Sequence, residues 1–139
     1  SIPLAAHVAL PYPELDSFAP DAIRHLQEGT CDFFNFNGGC WPVRKLMTVA
    51  DLAGLPYWHG SEVDLGLLEA SYVHKCAAGQ RAELPSDIFG RLVREHDLLK
   101  QPLVFEKGFV LVPRRPGLGV ELDLDALAHY RTERAEVSL

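Results

Sequence analysis

A chain of 139 residues, 47% apolar and 23% charged, is long enough for one hydrophobic core and too ordinary in composition for a disordered or fibrous protein. Its net charge of −6, with no basic run denser than Arg114-Arg115, excludes nucleic acid as the main partner, because phosphate binding needs clustered cations. No apolar stretch approaches the roughly 20 residues that cross a bilayer, so no membrane partner is expected. Ser1-Ile2-Pro3-Leu4 carries neither the basic region nor the cleavage motif of a signal peptide, and a chain opening directly on an apolar strand reads as a fragment. Cys31, Cys40 and Cys76 are odd in number and lack C-x-x-C spacing, which points to free thiols in a reducing cytoplasm.

Ile2-Pro3-Leu4-Ala5-Ala6 is an apolar run without alternation, the pattern of a short buried strand. Pro11, Pro13 and Pro20 punctuate a loop, after which Asp16-Ser17 or Asp21 can cap a helix reaching about Gln27. Ile23 and Leu26 mark its inner face and Gly29 its end. Cys31 to Phe36 is a second strand, and Asn37-Gly38-Gly39 a tight turn. A helix is predicted from about Pro42, with Val43, Leu46, Met47, Ala50 and Leu52/Ala53 at helical spacing and Gly54 as its stop. Leu55 to His59 is the third strand, followed by a helix carrying Val63, Leu67, Ala70, Val73 and Ala77 up to Gly79. Short connections between non-alternating strands and helices predict a parallel sheet with helices outside it. Beyond Gly79, Pro85-Ser86-Asp87 opens a predicted helix to about Leu99. Pro102–Phe105 and Phe109–Val112 then form a hairpin, and Asp123 starts a last helix to about Arg134.

Pro113-Arg114-Arg115-Pro116-Gly117-Leu118-Gly119-Val120-Glu121-Leu122-Asp123, following that hairpin, resembles the closing segment of the mandelate racemase/muconate lactonizing enzyme family of the enolase superfamily. The remaining segments fall in the family's order. Ile2–Ala5 resembles the fifth barrel strand, Cys31–Phe36 the sixth, and Gly54–Glu62 the seventh with its loop, while the alanine-rich helix holding His74 resembles the one after it. The resemblance implies an α/β fold, the C-terminal part of a TIM-like (β/α)7β barrel, comprising roughly strands 5–8 with the returning hairpin and helix. Residues 1–100 would be barrel, and residues 101–139 the hairpin, the Pro-Gly-Leu-Gly-Val loop and the final helix, closing onto an N-terminal capping domain. The first four strands and the cap would lie in a missing N-terminal half, in the same chain or a separate one.

The family abstracts the proton α to a carboxylate and stabilises the enediolate with Mg2+, so the resemblance implies a racemase or cycloisomerase acting on a small carboxylate. It equally allows an acid-sugar dehydratase, or a catalytically degenerate barrel portion serving as a structural or binding subunit. A cytoplasmic homo-oligomer is expected. Metal ligands would lie mostly outside this chain, and His7 stands where the fifth strand should deliver an acidic ligand, although hard Mg2+ prefers oxygen. Asn37 stands where the sixth strand carries Lys or Asp; its amide can donate to an oxyanion, or it belongs to a simple Asn-Gly turn. His59 ends the seventh strand near the family's general base, and is otherwise a structural or substrate-contacting histidine. Trp58, Ser61 and Glu83 are candidate substrate contacts; Glu62 suits a helix N-terminus. A transition-metal site from His7 and His59 is a weaker alternative. His74 reads as a packed core residue, and His25, His96 and His129 as surface.

Overall fold

The computed structural model describes residues 2–8, 18–38, 40–61 and 63–132. Pro11, Pro13, the Asp16-Ser17 cap, Gly39, Glu62 and the predicted helix end at Arg134 lie outside them. Three strands, β1 (Ala5–Val8), β2 (Phe33–Phe36) and β3 (Tyr57–His59), form a parallel sheet in chain order. Helices α1 (Phe18–Glu28), α2 (Cys40–Ala53) and α3 (Gly66–Ala78) follow them in turn. The architecture is the predicted α/β one: a strand–helix series from the C-terminal part of a barrel. Among the described residues no helix is long and apolar enough to cross a membrane.

Side chains alternate across a strand, so each strand has one face toward the helices. Ala6, Val8, Phe34, Phe36 and Tyr57 take that face and share a core with Ala22, Val43, Leu46, Met47 and Ala50. The α2 stripe is the one its spacing predicts as far as Ala50; Leu52 turns outward, 85% exposed. On α1 the inner positions are Ala22 and Leu26 rather than Ile23 and Leu26, an i, i+4 pair, with the half-buried His25 edge-on to Phe34. The first strand lies later than its apolar run. Ile2 and Leu4 are exposed, because pairing begins at Ala5↔Phe33, and burial follows the alternation of Ala6 and Val8.

Gly54, with φ +71, ends α2 as predicted, and Leu55 N–H donates to the Ala50 carbonyl. Gly79 does not end α3 in that way, since its φ is −78. It is glycine for room: a Cβ there would lie against the Tyr57 hydroxyl and 2.8 Å from Met47 Cε. Asp51 on α2 accepts from that hydroxyl at 3.0 Å and from Arg81 N–H at 2.9 Å, tying α2, β3 and the chain after α3 together. Helix α3 also departs from its predicted stripe. It begins at Gly66, leaves Val63 and Leu67 exposed, and buries Glu69, Ser71 and Tyr72 beside Ala70 and Val73.

The predicted helix over 85–99 is only a 3₁₀ turn, Gly90–Leu92. Gly90 approaches Glu69 and Arg94 so closely that a Cβ would meet both side chains, and Leu98 takes φ +58, so tertiary contacts override helix propensity here. Strands β4 (Phe105–Glu106) and β5 (Phe109–Val110) form the expected hairpin, shorter than predicted. Its turn has positive φ at both Lys107 (50°) and Gly108 (85°), the primed geometry that matches strand twist. Positive φ at Gly117 and Gly119 folds the next loop back so tightly that a Gly119 Cβ would sit 2.6 Å from Pro113 Cβ. Asp123 caps α4 (Leu124–Tyr130) by accepting from Ala126 N–H at 2.9 Å. Residues past 100 share a core with the barrel part: Ala70 and Val73 of α3 pack with Leu103, Phe105, Val110 and Val120.

Candidate functional site

Barrel active sites lie at the C-terminal ends of the strands. The helices cover the face holding Ala6, Val8, Phe34, Phe36 and Tyr57, so Ala5, His7, Phe33, Asn35 and Trp58 occupy the opposite face, which is the barrel's interior side. Strand register aligns His7 with Asn35 and Asn35 with Trp58, one residue from each strand in a single row near those ends. Phe33 lies against Trp58 with ring centroids 5.8 Å apart. Asn35 Oδ1 is buried without a hydrogen-bond partner, and Gly60 leaves it room, since a Cβ at residue 60 would come within 2.6 Å of that oxygen.

His59 is on the other face. It shares the parity of Tyr57, is 2% exposed, and stacks on Tyr72 of α3 with ring centroids 3.9 Å apart. Its Nδ1–H donates to the Gly60 carbonyl, which fixes the tautomer and leaves Nε2 a buried acceptor without a donor. Burial, aided by the nearby Lys75 ammonium, lowers its pKa to about 4 against the pull of the Gly60 carbonyl and Asp64. Lys75 lies 4.5 Å over the Tyr72 ring and donates to the Gly38 carbonyl at 3.4 Å. His59 therefore sits in a packed stack between sheet and helix, on the face opposite His7, Asn35 and Trp58. The His7–His59 metal pair fails for the same reason: the two residues lie on opposite faces of the sheet.

Asn37 follows β2, 5% exposed, with its N–H donating to the Val8 carbonyl at 3.2 Å. Ser61 is partly exposed beyond β3 and accepts from Val63 N–H at 3.2 Å. Glu83 is exposed and paired with Arg81 at 2.6 Å. It belongs to a segment that runs beside β3 as an eighth strand would. Tyr57 N–H donates to the Arg81 carbonyl at 2.9 Å, and Leu84 N–H to the Tyr57 carbonyl at 3.4 Å. Regular parallel pairing would use residue 83 there, so one extra residue bulges out. Ser86 Oγ then accepts from His59 N–H at 3.1 Å, and Pro85 has no N–H to carry the ladder further.

Sequence reasoning missed Asn35 and Tyr72. The alternation of Phe34 and Phe36 could have revealed Asn35's side of the sheet. Mg2+ does not fit the donors present. The interior row offers one imidazole and one amide, and no group of three His, Cys, Asp or Glu able to hold a metal occurs among the described residues.

The sequence model of the family described as Enolase C-terminal domain-like matches residues 12–126. Muconate cycloisomerase 1 of Rhodococcus opacus is 28% identical over 111 residues, which span 77% of this chain and 30% of that protein. Muconate cycloisomerase 1 of Acinetobacter baylyi is 30% identical over 95 residues, spanning 68% and 26% of the two chains. The o-succinylbenzoate synthase of Bacillus subtilis is 26% identical over 118 residues, spanning 81% and 32%. The crystal structure of muconate cycloisomerase from Pseudomonas fluorescens superposes with a TM-score of 0.80 at 24% identity, covering 94% of this chain and 36% of that one. The chain thus spans about a third of the length of the relatives it matches. With a family match over most of its length and a fold that superposes on the same group, this chain belongs to the Enolase C-terminal domain-like family, the C-terminal barrel portion of mandelate racemase/muconate lactonizing enzymes.

Proposed function

We propose that this chain forms one wall of the substrate site in an isomerase or lyase of the muconate cycloisomerase type, with His7, Asn35 and Trp58 facing a small dicarboxylate. Muconate and o-succinylbenzoate, which appear in the names of relatives, are both of that class. The observation that carries the reading is the aligned interior row at the strand ends, with its buried unpartnered amide oxygen. An imidazole and an amide can orient a carboxylate by hydrogen bonds, and an indole can cover its hydrocarbon part. Neither Asn35 nor Trp58 moves a proton at neutral pH, so these two orient the substrate, and most of the Mg2+ ligands belong to residues beyond these 139. His59 acts by packing, and Asn37 by turning the chain after β2.

The replacement of a carboxylate by His7 favours a second reading, a barrel that binds the dicarboxylate without converting it. Steady-state kinetics of the full-length protein with cis,cis-muconate and Mg2+ separates these readings. Asn35→Ala is expected to raise KM about tenfold or more, the scale of one hydrogen bond to a charged group. His59→Asn is expected to leave kcat within about threefold, whereas a removed general base costs roughly 10²-fold. A parent protein that binds but does not turn over establishes the second reading. A kcat collapse in His59→Asn with unchanged fold would overthrow the first.

A further inference from the structure

Val63 is a β-branched residue held at φ +63, a left-handed conformation that such side chains rarely adopt. It lies in the segment that leaves the C-terminal end of β3, two residues after Ser61. Both of its backbone polar groups are tied. Its N–H donates to Ser61 Oγ at 3.2 Å, and its carbonyl accepts from Arg94 Nη1 at 3.3 Å.

Arg94 is itself fixed from below. Its Nη2 donates to Glu69 Oε1 and to Asp97 Oδ1, both at 2.9 Å, and all three side chains are largely buried. Asp97 adds a second tie, its carbonyl accepting from Gly66 N–H at 3.2 Å at the start of α3. Gly90 is glycine because a Cβ would strike Glu69 and Arg94. Burial pushes the Glu69 carboxyl up, against the opposing pull of Arg94, so this carboxylate depends on the guanidinium for its charge. A strained backbone persists where its surroundings over-determine it, and it clusters at ligand-binding sites.

We propose that Arg94, anchored by Glu69 and Asp97, is a positioning residue that holds Val63 in its strained conformation and, through the Val63 N–H bond to Ser61 Oγ, presets Ser61 beyond the end of β3. The functional half of this inference rests on the wall reading above; the positioning itself does not. The guanidinium's planar fork suits the task, since two nitrogens meet the carboxylates and the Val63 carbonyl at once. The network lies between α3 and the segment after the 3₁₀ turn, and couples a loop at the strand ends to residues some 30 positions later in the chain.

The test is a double-mutant cycle on the full-length protein, read by thermal melting. Asn tolerates positive φ, so Val63→Asn relieves strain only while Arg94 enforces it. Val63→Asn is expected to raise Tm by about 2 °C in the parent and not to raise it in Arg94→Met. Equal shifts in the two backgrounds, or a lower Tm in the parent, overturn the positioning role. If Arg94→Met fails to fold because Glu69 and Asp97 are left unpaired, the same comparison is made in Glu69→Gln/Arg94→Met/Asp97→Asn, which buries no lone charge. Muconolactone affinity, by calorimetry, is expected to fall about tenfold in the Arg94 variant. Unchanged affinity beside a positive cycle overturns the loop's part in binding. A parent that binds no muconolactone counts against the wall reading alone.

Discussion

Acidification is expected to cost the folded protein about 3 kcal/mol through His59 alone, over the window from pH 6.5 down to about 4. The folded pKa is about 4, against 6.5 for the free side chain. Between those values the unfolded chain binds a proton that the folded one refuses, so stability is full above pH 6.5 and falls as pH drops. Below about 4 both states are protonated and the loss levels off. Glu69 works in the opposite sense. Its folded pKa is raised, so the native state takes up a proton first as pH falls and regains some stability. The measurement is therefore the difference between the parent and His59→Phe, in which a phenyl ring keeps the stack on Tyr72. The parent's urea midpoint should fall relative to that of His59→Phe as pH drops through this window, since only the parent loses this contribution. A constant offset would mean that His59 is charged or solvated in the native state.

Phe34→Ala is expected to cost about 3–5 kcal/mol, the usual range for removing a fully buried phenyl ring. Phe34 is 0% exposed, lies at the centre of the middle strand, and stacks on Phe36 with centroids 5.1 Å apart. His25 of α1 meets its edge at 6.5 Å, so strand, neighbour and helix all lose contact together. A lowered urea midpoint with an unchanged slope checks this. A loss below about 1 kcal/mol would place Phe34 on the wrong face and reverse the sidedness assigned to the whole sheet.

That sidedness is where the sequence was hardest to read. Local chemistry made other parts legible. The Val43–Leu46–Met47–Ala50 stripe, the Gly54 stop, the Lys107-Gly108 turn and the Asp123 cap each depend on neighbours within a few residues. The Pro-Gly-Leu-Gly-Val segment stood out through its resemblance to the family's closing segment, and both of its glycines take the positive φ that other residues adopt poorly. The strand Tyr57-Trp58-His59 gave no such guidance. It is three residues long, aromatic on both faces, and bounded by Pro56 and Gly60, so its parity is fixed only by pairing with β2. His59 accordingly looked like a base at the mouth. The Glu69–Arg94–Asp97 network joins residues 25 and three positions apart, and beside it the chain makes a 3₁₀ turn where the sequence predicts a helix opening at Pro85-Ser86-Asp87. The eighth strand fails through a one-residue bulge before Pro85, which no periodicity announces.

The interior face, rather than the His59 stack, is held to meet the substrate, and one spectrum can observe both. Full-length protein with ¹⁵N-labelled histidine side chains, titrated with muconolactone at neutral pH, reports on His7 and His59 together. His7 is expected to shift with ligand, while His59 keeps the resonances of a neutral Nδ1–H tautomer. A His59 signal that moves with ligand while His7 stays still would contradict the assignment of the two faces and restore His59 to the site.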